Sequence, residues 1–440
     1  TLPKLKSNSW FDEDCEIATA EKNKAYLNML QKRKTRRNTE IYKYKRKEEK
    51  KIHRKKKRIF ENNLLNEIET FRNSNEVRRF YKSVNNNRKS FKPRTNFCRD
   101  TNGNILTDKE EILKRWSDYF NQLLNDSRSH NDEQRQKQNE SQLHYLSNNG
   151  QIVEDEDSTP TIEEIDLAIE ELNSNRAPGI DGIQAELLKN ATSRLKQSMH
   201  KLFKKIWKEE KLPTEWNTGI ICPLHKKGDQ MDCANYRGIT LLNTTYKVFS
   251  KILYKRLLPY AEKVIGNYQT GFRKGKSTID QIFTIRQILE KTIEYNIENH
   301  HLFIDFSTAY DSVNRAGLYC AMEEFGFPHK IIKLVEATMM NSRCYIKIQA
   351  DMSDPLDTKN GLRQGDSLAC LLFNIALEKV IRDAKIQMGG TIFYKSVQLL
   401  AFADDIDIVA RSERDIRKTF KALKISADAM GLKINGKKTK

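Results

Sequence analysis

Two acidic residues stand side by side in Leu399-Leu400-Ala401-Phe402-Ala403-Asp404-Asp405-Ile406-Asp407-Ile408-Val409-Ala410. Apolar runs flanking a polar pair predict a β-hairpin whose turn carries the carboxylates. Adjacent carboxylates repel, so a buried pair is costly unless a cation accompanies it. A divalent metal answers this, and hard oxygen ligands suit Mg²⁺. An acidic dipeptide closing a solvated hairpin would need no metal, because Asp is a favoured turn residue; the rest of the chain has to decide.

A third carboxylate, Asp305, ends the apolar run His301-Leu302-Phe303-Ile304, where it can face a cleft. It precedes Asp404 by 99 residues, so any shared metal is assembled by tertiary structure. Two metals about 3.5–4 Å apart on such carboxylates would activate a 3′-hydroxyl and steady a leaving pyrophosphate in an in-line displacement. Between them lies Asn360-Gly361-Leu362-Arg363-Gln364-Gly365-Asp366-Ser367-Leu368, a flexible turn feeding an apolar helix. Glycine lets backbone approach a ligand closely, and Gln364 offers both donor and acceptor. The same segment also reads as an ordinary helix start capped by Asp366 or Ser367.

The elements that must position these groups alternate along the chain. Strands are predicted at 220–224, 301–306 and 344–349, and helices at 245–258, 279–294, 318–325, 331–340 and 367–383. Capping boxes at Thr107/Glu110 and Thr161/Glu164 open two amphipathic helices, the first through Ile112, Trp116, Tyr119, Phe120 and Leu123. Residues 176–182 form a turn-rich loop, and the polar stretch 125–158 reads as a linker. From about 21 to 71 the residues favour helix, with Phe60, Leu64, Ile68 and Phe71 in one stripe, which predicts a long helical arm or helical pair docking by that stripe. The mixture implies an α+β fold with catalytic groups at strand ends and turns.

Charge is concentrated. The chain of 440 residues carries +19, and residues 31–60 hold 16 basic against 3 acidic side chains, which is +13 of that total. Such a tract, with Lys32, Arg33, Arg36, Arg37, Lys45, Arg46, Arg54 and Lys55, reads as a salt-sensitive polyanion contact, and nucleic acid is the polyanion it suits best. A solvated charged helix or a nuclear-localisation run has the same composition. Seven scattered cysteines without a C-x-x-C pair exclude a zinc site of that kind and point to a reducing compartment. The longest apolar run, 371–377, is too short to span a bilayer, and no secretory leader opens the chain. A start at Thr1 and a stop at Lys440 inside an unfinished element make a fragment of a longer protein the expectation.

The order of motifs resembles the reverse transcriptases of non-LTR retrotransposons, the long interspersed element type. It runs from Pro178-Gly179-Ile180-Asp181-Gly182 through Arg237-Gly238-Ile239 and Gly271-Phe272-Arg273-Lys274-Gly275-Lys276-Ser277-Thr278 to Asp305, then Gly361 to Leu368, Phe402 to Asp405, and Gly431 to Lys440. The resemblance covers about 107–440. It implies a right-hand polymerase with fingers and a ferredoxin-like palm, preceded by a basic helical extension and lacking a thumb. The implied division is a basic arm at 1–99, a helix and linker at 100–160, the extension motif and fingers at 161–300, and a palm at 301–440 truncated before the thumb.

By motif position, the resemblance makes Asp305, Asp404 and Asp405 the ligands of two Mg²⁺, replaceable by Mn²⁺, with the Phe306 carbonyl as a further ligand. It places Lys226 and Arg237 on the incoming triphosphate, Tyr310 as the side chain that rejects a ribose 2′-hydroxyl, and Gln364 and Gly365 along the nucleotide and primer end. Lys438 matches the acid that protonates pyrophosphate, and Arg273 joins the nucleic-acid contacts. Three residues depart from the pattern: Ala369-Cys370 replaces Ser-Pro, and Phe402 replaces Tyr. The implied activity is RNA-directed DNA synthesis from an RNA template, a DNA primer and deoxynucleoside triphosphates, without a membrane partner, intracellular and nuclear where it acts, cytoplasmic while it assembles with RNA. A catalytically incomplete RNA-binding relative and a DNA-templated polymerase fit the same residues.

Overall fold

The computed structural model describes residues 10–31, 35–74, 76, 79–80, 83, 97–125, 158–386 and 397–440. The chain divides into two units, Thr1–Arg94 and Thr95–Lys440. The predicted linker and two of the basic-tract residues, Lys32 and Arg33, lie outside the described residues, apart from the linker's two ends.

The first unit is the helical pair, α1 (Glu13–Gln31) and α2 (Arg36–Asn73). They run antiparallel: Lys45 pairs with Glu21 at 2.9 Å, Lys22 with Glu49 at 2.9 Å, and Lys56 with Asp12 and Asp14 at 2.5 Å each. Trp10 and Phe11 set their ring edges against His53. No side chain of α2 is fully buried, and its predicted stripe of Phe60, Leu64, Ile68 and Phe71 is half-buried. With no buried face, α2 owes its form to straight-chain Lys, Arg and Glu, which lose little rotamer freedom in a helix, and to its seam with α1.

The second unit mixes helix and sheet, as its alternating sequence predicts. After the short hairpin β1 (Cys98–Arg99) and β2 (Ile105–Leu106) come α3 (Lys109–Asn125), α4 (Ile162–Glu170), α5 (Ala185–Lys189) and α6 (Ser193–Glu209). Next are β3 (Thr218–His225), β4 (Tyr236–Leu241), α7 (Thr244–Val264), α8 (Thr278–Glu294), β5 (His300–Ile304), β6 (Phe306–Ser307), α9 (Ala309–Ser312), α10 (Arg315–Glu324) and α11 (His329–Met339). The chain continues through β7 (Arg343–Ile348), β8 (Asp351–Met352), β9 (Leu356–Asp357), α12 (Ala369–Asp383), β10 (Val397–Phe402), β11 (Asp405–Ala410), α13 (Glu413–Ala429) and β12 (Lys433–Ile434).

Three sheets matter for the site. β10, β11 and β5 form an antiparallel sheet in that order; β12 pairs with β6; and β4, β3, β7 and β8 form a mixed sheet in which β3 and β7 are parallel and β9 adds to β7. Beneath them, α12 buries Leu371, Leu372, Phe373, Ile375, Ala376, Leu377, Val380 and Ile381, a helix apolar on nearly every side and therefore central. A second, smaller core packs Ile112, Trp116 and Phe120 of α3 against Ile221, Tyr236 and Ile346 of the mixed sheet.

The predicted box at Thr161/Glu164 is present, with Glu164 N–H on the Thr161 hydroxyl at 3.2 Å and Thr161 N–H on the Glu164 carboxylate at 2.8 Å. The one at Thr107 is not. Asp108 takes that cap, its carboxylate accepting from Glu110 N–H at 3.0 Å and Glu111 N–H at 3.3 Å. Helix α12 likewise begins without a side-chain cap of its own at Leu368; Asp366 accepts from Leu368 N–H at 3.2 Å and is otherwise engaged by the Tyr246 hydroxyl. Sequence reading assigned no element to α6, β4 or α13, although Ile416, Phe420, Leu423 and Ala427 repeat at helical spacing behind the capping Ser412.

Candidate active site

The hairpin forms as predicted, with Phe402 paired to Asp405 across it, so Ala403 and Asp404 make the turn and Asp405 opens the second strand. Strand β5 pairs with β11 through Ile304 and Ile406, one step before Asp305. This antiparallel register carries Asp305 to the same sheet end as Asp404 and Asp405, closing the 99-residue gap.

The third approach comes from the end of the chain. Helix α13 returns the backbone to β12, whose pairing with β6 places Ile434 opposite Phe306. Asn435 N–H then bonds the Asp305 carbonyl at 2.8 Å, and a turn closed by Lys438 N–H on the Asn435 carbonyl folds Lys438 back. Its ammonium reaches the Asp305 carboxylate at 2.8 Å. Lys440 pairs with Phe303 in both directions, at 2.8 and 3.0 Å, so Lys438 is tied down on both sides.

The β3–β4 hairpin adds two cations. Lys226 leaves β3 and Arg237 sits on β4, both exposed, and Leu224 is the partner of Arg237 across the hairpin. Burial holds the Lys226 ammonium below its ordinary value; Arg237 and Lys438 push the same way, while Asp305 and Asp404 oppose them. Asp405 is held above its ordinary value by burial first, then by the charges of Asp404 and Asp305. Three carboxylates and three cations therefore share one electrostatic neighbourhood.

Tyr310 follows on α9, its ring stacked on Phe373 of α12 with centroids 4.6 Å apart. Burial raises its hydroxyl, whose polar neighbour is the Cys370 thiol, the residue that departs from the resemblance. Gln364 gives its side-chain N–H to Asp311 at 2.8 Å and its carbonyl to Thr240 N–H of β4 at 2.7 Å. Gly365 has φ +116°, and a Cβ there would stand 2.8 Å from the Thr240 carbonyl, so only glycine lets this turn lie against β4. Asp311 borders a cavity of about 30 Å³ lined also by Phe120, Gly238, Thr240 and Leu362. Burial pushes its carboxyl up to about 7, against the Gln364 donor and the Arg237 charge. Sequence reading did not single out Asp311 as a site residue.

Arg273, expected among the nucleic-acid contacts, has its guanidinium engaged within the fold. Its side chain is 6% exposed, bound to Glu262 at 2.6 Å and to the carbonyls of Gly266 and Gln269 at 2.8 and 3.0 Å. Burial among acceptors makes it a brace of the turn before Phe272. In the arm, Arg36 pairs with Glu40, and Lys45 with Glu21 and Glu48, whereas among the described residues Arg37, Arg46, Arg54 and Lys55 have no carboxylate within ion-pair distance.

Among the described residues, no three His, Cys, Asp or Glu side chains close into a metal cage. The donor set of Asp305, Asp404 and Asp405 still fits Mg²⁺, which binds through one or two carboxylates and completes its shell with water and substrate phosphates. Phe306, the expected carbonyl donor, directly follows Asp305 and has its ring buried. A cleft of about 950 Å³, lined by Glu215, Arg315, Glu336 and Arg343 among others, contains none of these residues. None of the described helices is long and apolar enough to cross a membrane.

Residues 224–440 match the family described as reverse transcriptase (RNA-dependent DNA polymerase). Over 282 residues, 63% of this chain and 22% of the relative, the chain is 26% identical to the transposon TX1 uncharacterized 149 kDa protein of Xenopus laevis. Over 287 residues, 63% and 31% of the two chains, it is 24% identical to the probable RNA-directed DNA polymerase from transposon BS of Drosophila melanogaster. Among solved structures, apo telomerase from Candida tropicalis truncated from its C-terminal domain aligns with a TM-score of 0.40 at 15% identity, over 52% of this chain and 50% of the other. The chain spans less than a third of the length of these two curated relatives.

Proposed function

We propose, from the match of residues 224–440 to the reverse transcriptase family, that this chain is the polymerase portion of a non-LTR retrotransposon protein, adding deoxynucleotides to a DNA 3′-hydroxyl along an RNA template. In this reading the sheets around β3–β4 and β5–β10–β11 are fingers and palm. Two Mg²⁺ held by Asp305, Asp404 and Asp405, with the Phe306 carbonyl, would acidify the primer hydroxyl and neutralise charge on the phosphates. Exposed Lys226 and Arg237 grip the triphosphate, Arg in a bidentate fork. Tyr310, immobilised on Phe373, occupies the space of a ribose 2′-hydroxyl, and the Gln364–Gly365 turn supports the base pair being formed. Lys438 donates a proton to the departing pyrophosphate, and the exposed cations of α2 hold the RNA.

The observation that carries this reading is the convergence of three carboxylates, from strands 99 residues apart, with Lys438, whose ammonium lies 2.8 Å from Asp305. The test is primer extension on an RNA template with deoxynucleotides and Mg²⁺, run beside the Asp404→Ala variant. Extension by the parent chain alone supports the reading. Tight RNA binding with no extension by either would favour the noncatalytic relative, and extension only on DNA templates would favour the DNA-templated polymerase.

A further inference from the structure

The turn that aims Asp404 is held by a residue from outside the hairpin. Ala403, immediately before Asp404, has φ +56°, a conformation disfavoured for any residue with a Cβ. Such a backbone persists only where its surroundings over-determine it. Gln269 does so: its side-chain N–H donates to the Ala403 carbonyl at 3.1 Å, and its side-chain oxygen accepts from Ala403 N–H at 2.8 Å. The same oxygen accepts from Gly271 N–H at 2.8 Å. One amide, 2% exposed, thus satisfies both main-chain groups of the residue before the carboxylate.

Gln269 is itself fixed. Its segment lies against β10, with Ala401 N–H on the Tyr268 carbonyl and Thr270 N–H on the Ala401 carbonyl, both at 2.9 Å. Gln281 of α8 ties the Tyr268 and Ala401 carbonyls together at 2.8 and 3.0 Å, and Asn374 of α12 holds the Gly271 carbonyl at 2.9 Å. Gly271 packs so closely that a Cβ would meet Ala403 N at 2.2 Å. The chemistry is specific to glutamine at this reach: methionine has the length but no donor and only a weakly accepting thioether, and an ionised glutamate accepts but cannot donate.

The geometry points to Gln269 as a positioning residue that clamps the Ala403 turn and thereby sets the direction of the Asp404 carboxylate. This rests on the reading of Asp404 as a metal ligand of a polymerase, and two measurements on the full chain separate the clamp from that reading. The first is steady-state primer extension, resolved into kcat and the KM for deoxynucleotide. The second is Mn²⁺ titration without nucleic acid, followed by electron paramagnetic resonance. Each compares the parent chain with Gln269→Met, Gln269→Glu and Asp404→Ala.

Groups that orient metal ligands typically matter by about 10- to 100-fold in affinity or rate. Gln269→Met is expected to lose that much in kcat with little change in KM, and to weaken Mn²⁺ binding by about tenfold. Should Gln269→Met fail to fold, Gln269→Glu decides at a pH where the carboxyl is ionised, because it keeps the oxygen facing both N–H groups and sets a second acceptor against the Ala403 carbonyl in place of the donor. If the parent extends no primer, yet binds Mn²⁺ through Asp404 less tightly in the folded Gln269 variant, the polymerase reading fails and the clamp stands. Mn²⁺ affinity and kcat equal to the parent in a folded Gln269 variant, or Mn²⁺ binding indifferent to both positions, would overturn the proposal.

Discussion

The helical pair and the strand-end cluster are both rich in charge, and they use it in opposite ways. In the pair, α2 buries no side chain, and Arg37, Arg46, Arg54 and Lys55 stand in solvent with no carboxylate partner among the described residues. In the cluster, the ammonium of Lys438 is pinned between a backbone turn and Asp305, and Asp405 is raised by burial and its neighbours' charges. Exposed, unpaired cations suit a polyanion whose position need not be exact, since each phosphate contact adds salt-sensitive affinity and little geometry. Fixed charges suit a reaction, because preorganised groups spend nothing on reorganising when charge develops. One chain thus carries a tolerant surface and an intolerant site.

That contrast predicts where substitutions bite. The largest effect is expected from Asp404→Ala: primer extension lost by about 10³-fold or more, with RNA affinity in a filter-binding titration unchanged. An equal loss of RNA binding would break the division of labour. Next is Lys438→Ala, which removes the proton donor proposed for pyrophosphate; kcat is expected to fall by about 10²-fold in a single-turnover assay while nucleotide KM stays level.

A pH test sharpens the comparison from the stability side. The Asp311 carboxyl rises from 3.8 to about 7 in the fold, so the folded chain keeps a proton that the unfolded chain releases. The stability this supplies is whole below pH 3.8, falls as pH rises toward 7, and is level above it. Asp311→Asn is expected to lessen the fall of melting temperature across that window in a thermal scan. The smallest effect is expected in the arm. Replacing Arg37, Arg46, Arg54 and Lys55 together by Gln lowers the slope of log affinity against log salt by roughly 0.7 per lost phosphate contact, with kcat unchanged; a steep fall in kcat would show that the arm also acts in the chemistry.

Much of this was legible along the chain. The hairpin around Asp404, the helices at 279–294 and 331–340, and the apolar run that becomes α12 follow from periodicity, which is local and survives without tertiary information. The missed helix α13 carried the same signal, in Ile416, Phe420, Leu423 and Ala427. Motif position placed Arg273 among the nucleic-acid contacts and could not show its acceptors within the fold, Glu262 and two carbonyls. Gln269 and Asp311 gave no signal, since a buried amide and a strand-distal Asp are ordinary residues until their partners are known.

By itself, then, the sequence determined the kinds of element, the order of the motifs and the types of group available for chemistry, because backbone preference and apolar spacing act between near neighbours. Only the tertiary structure decided which of those groups meet. The register of β5 against β11 brought Asp305 to Asp404, and the β6–β12 pairing returned Lys438 to Asp305. The packing of 268–271 against β10 set Gln269 on the turn. Each contact joins residues far apart in the chain, and hydrogen-bond geometry over a few ångströms, fixed by the sheet, is a property that no stretch of sequence contains.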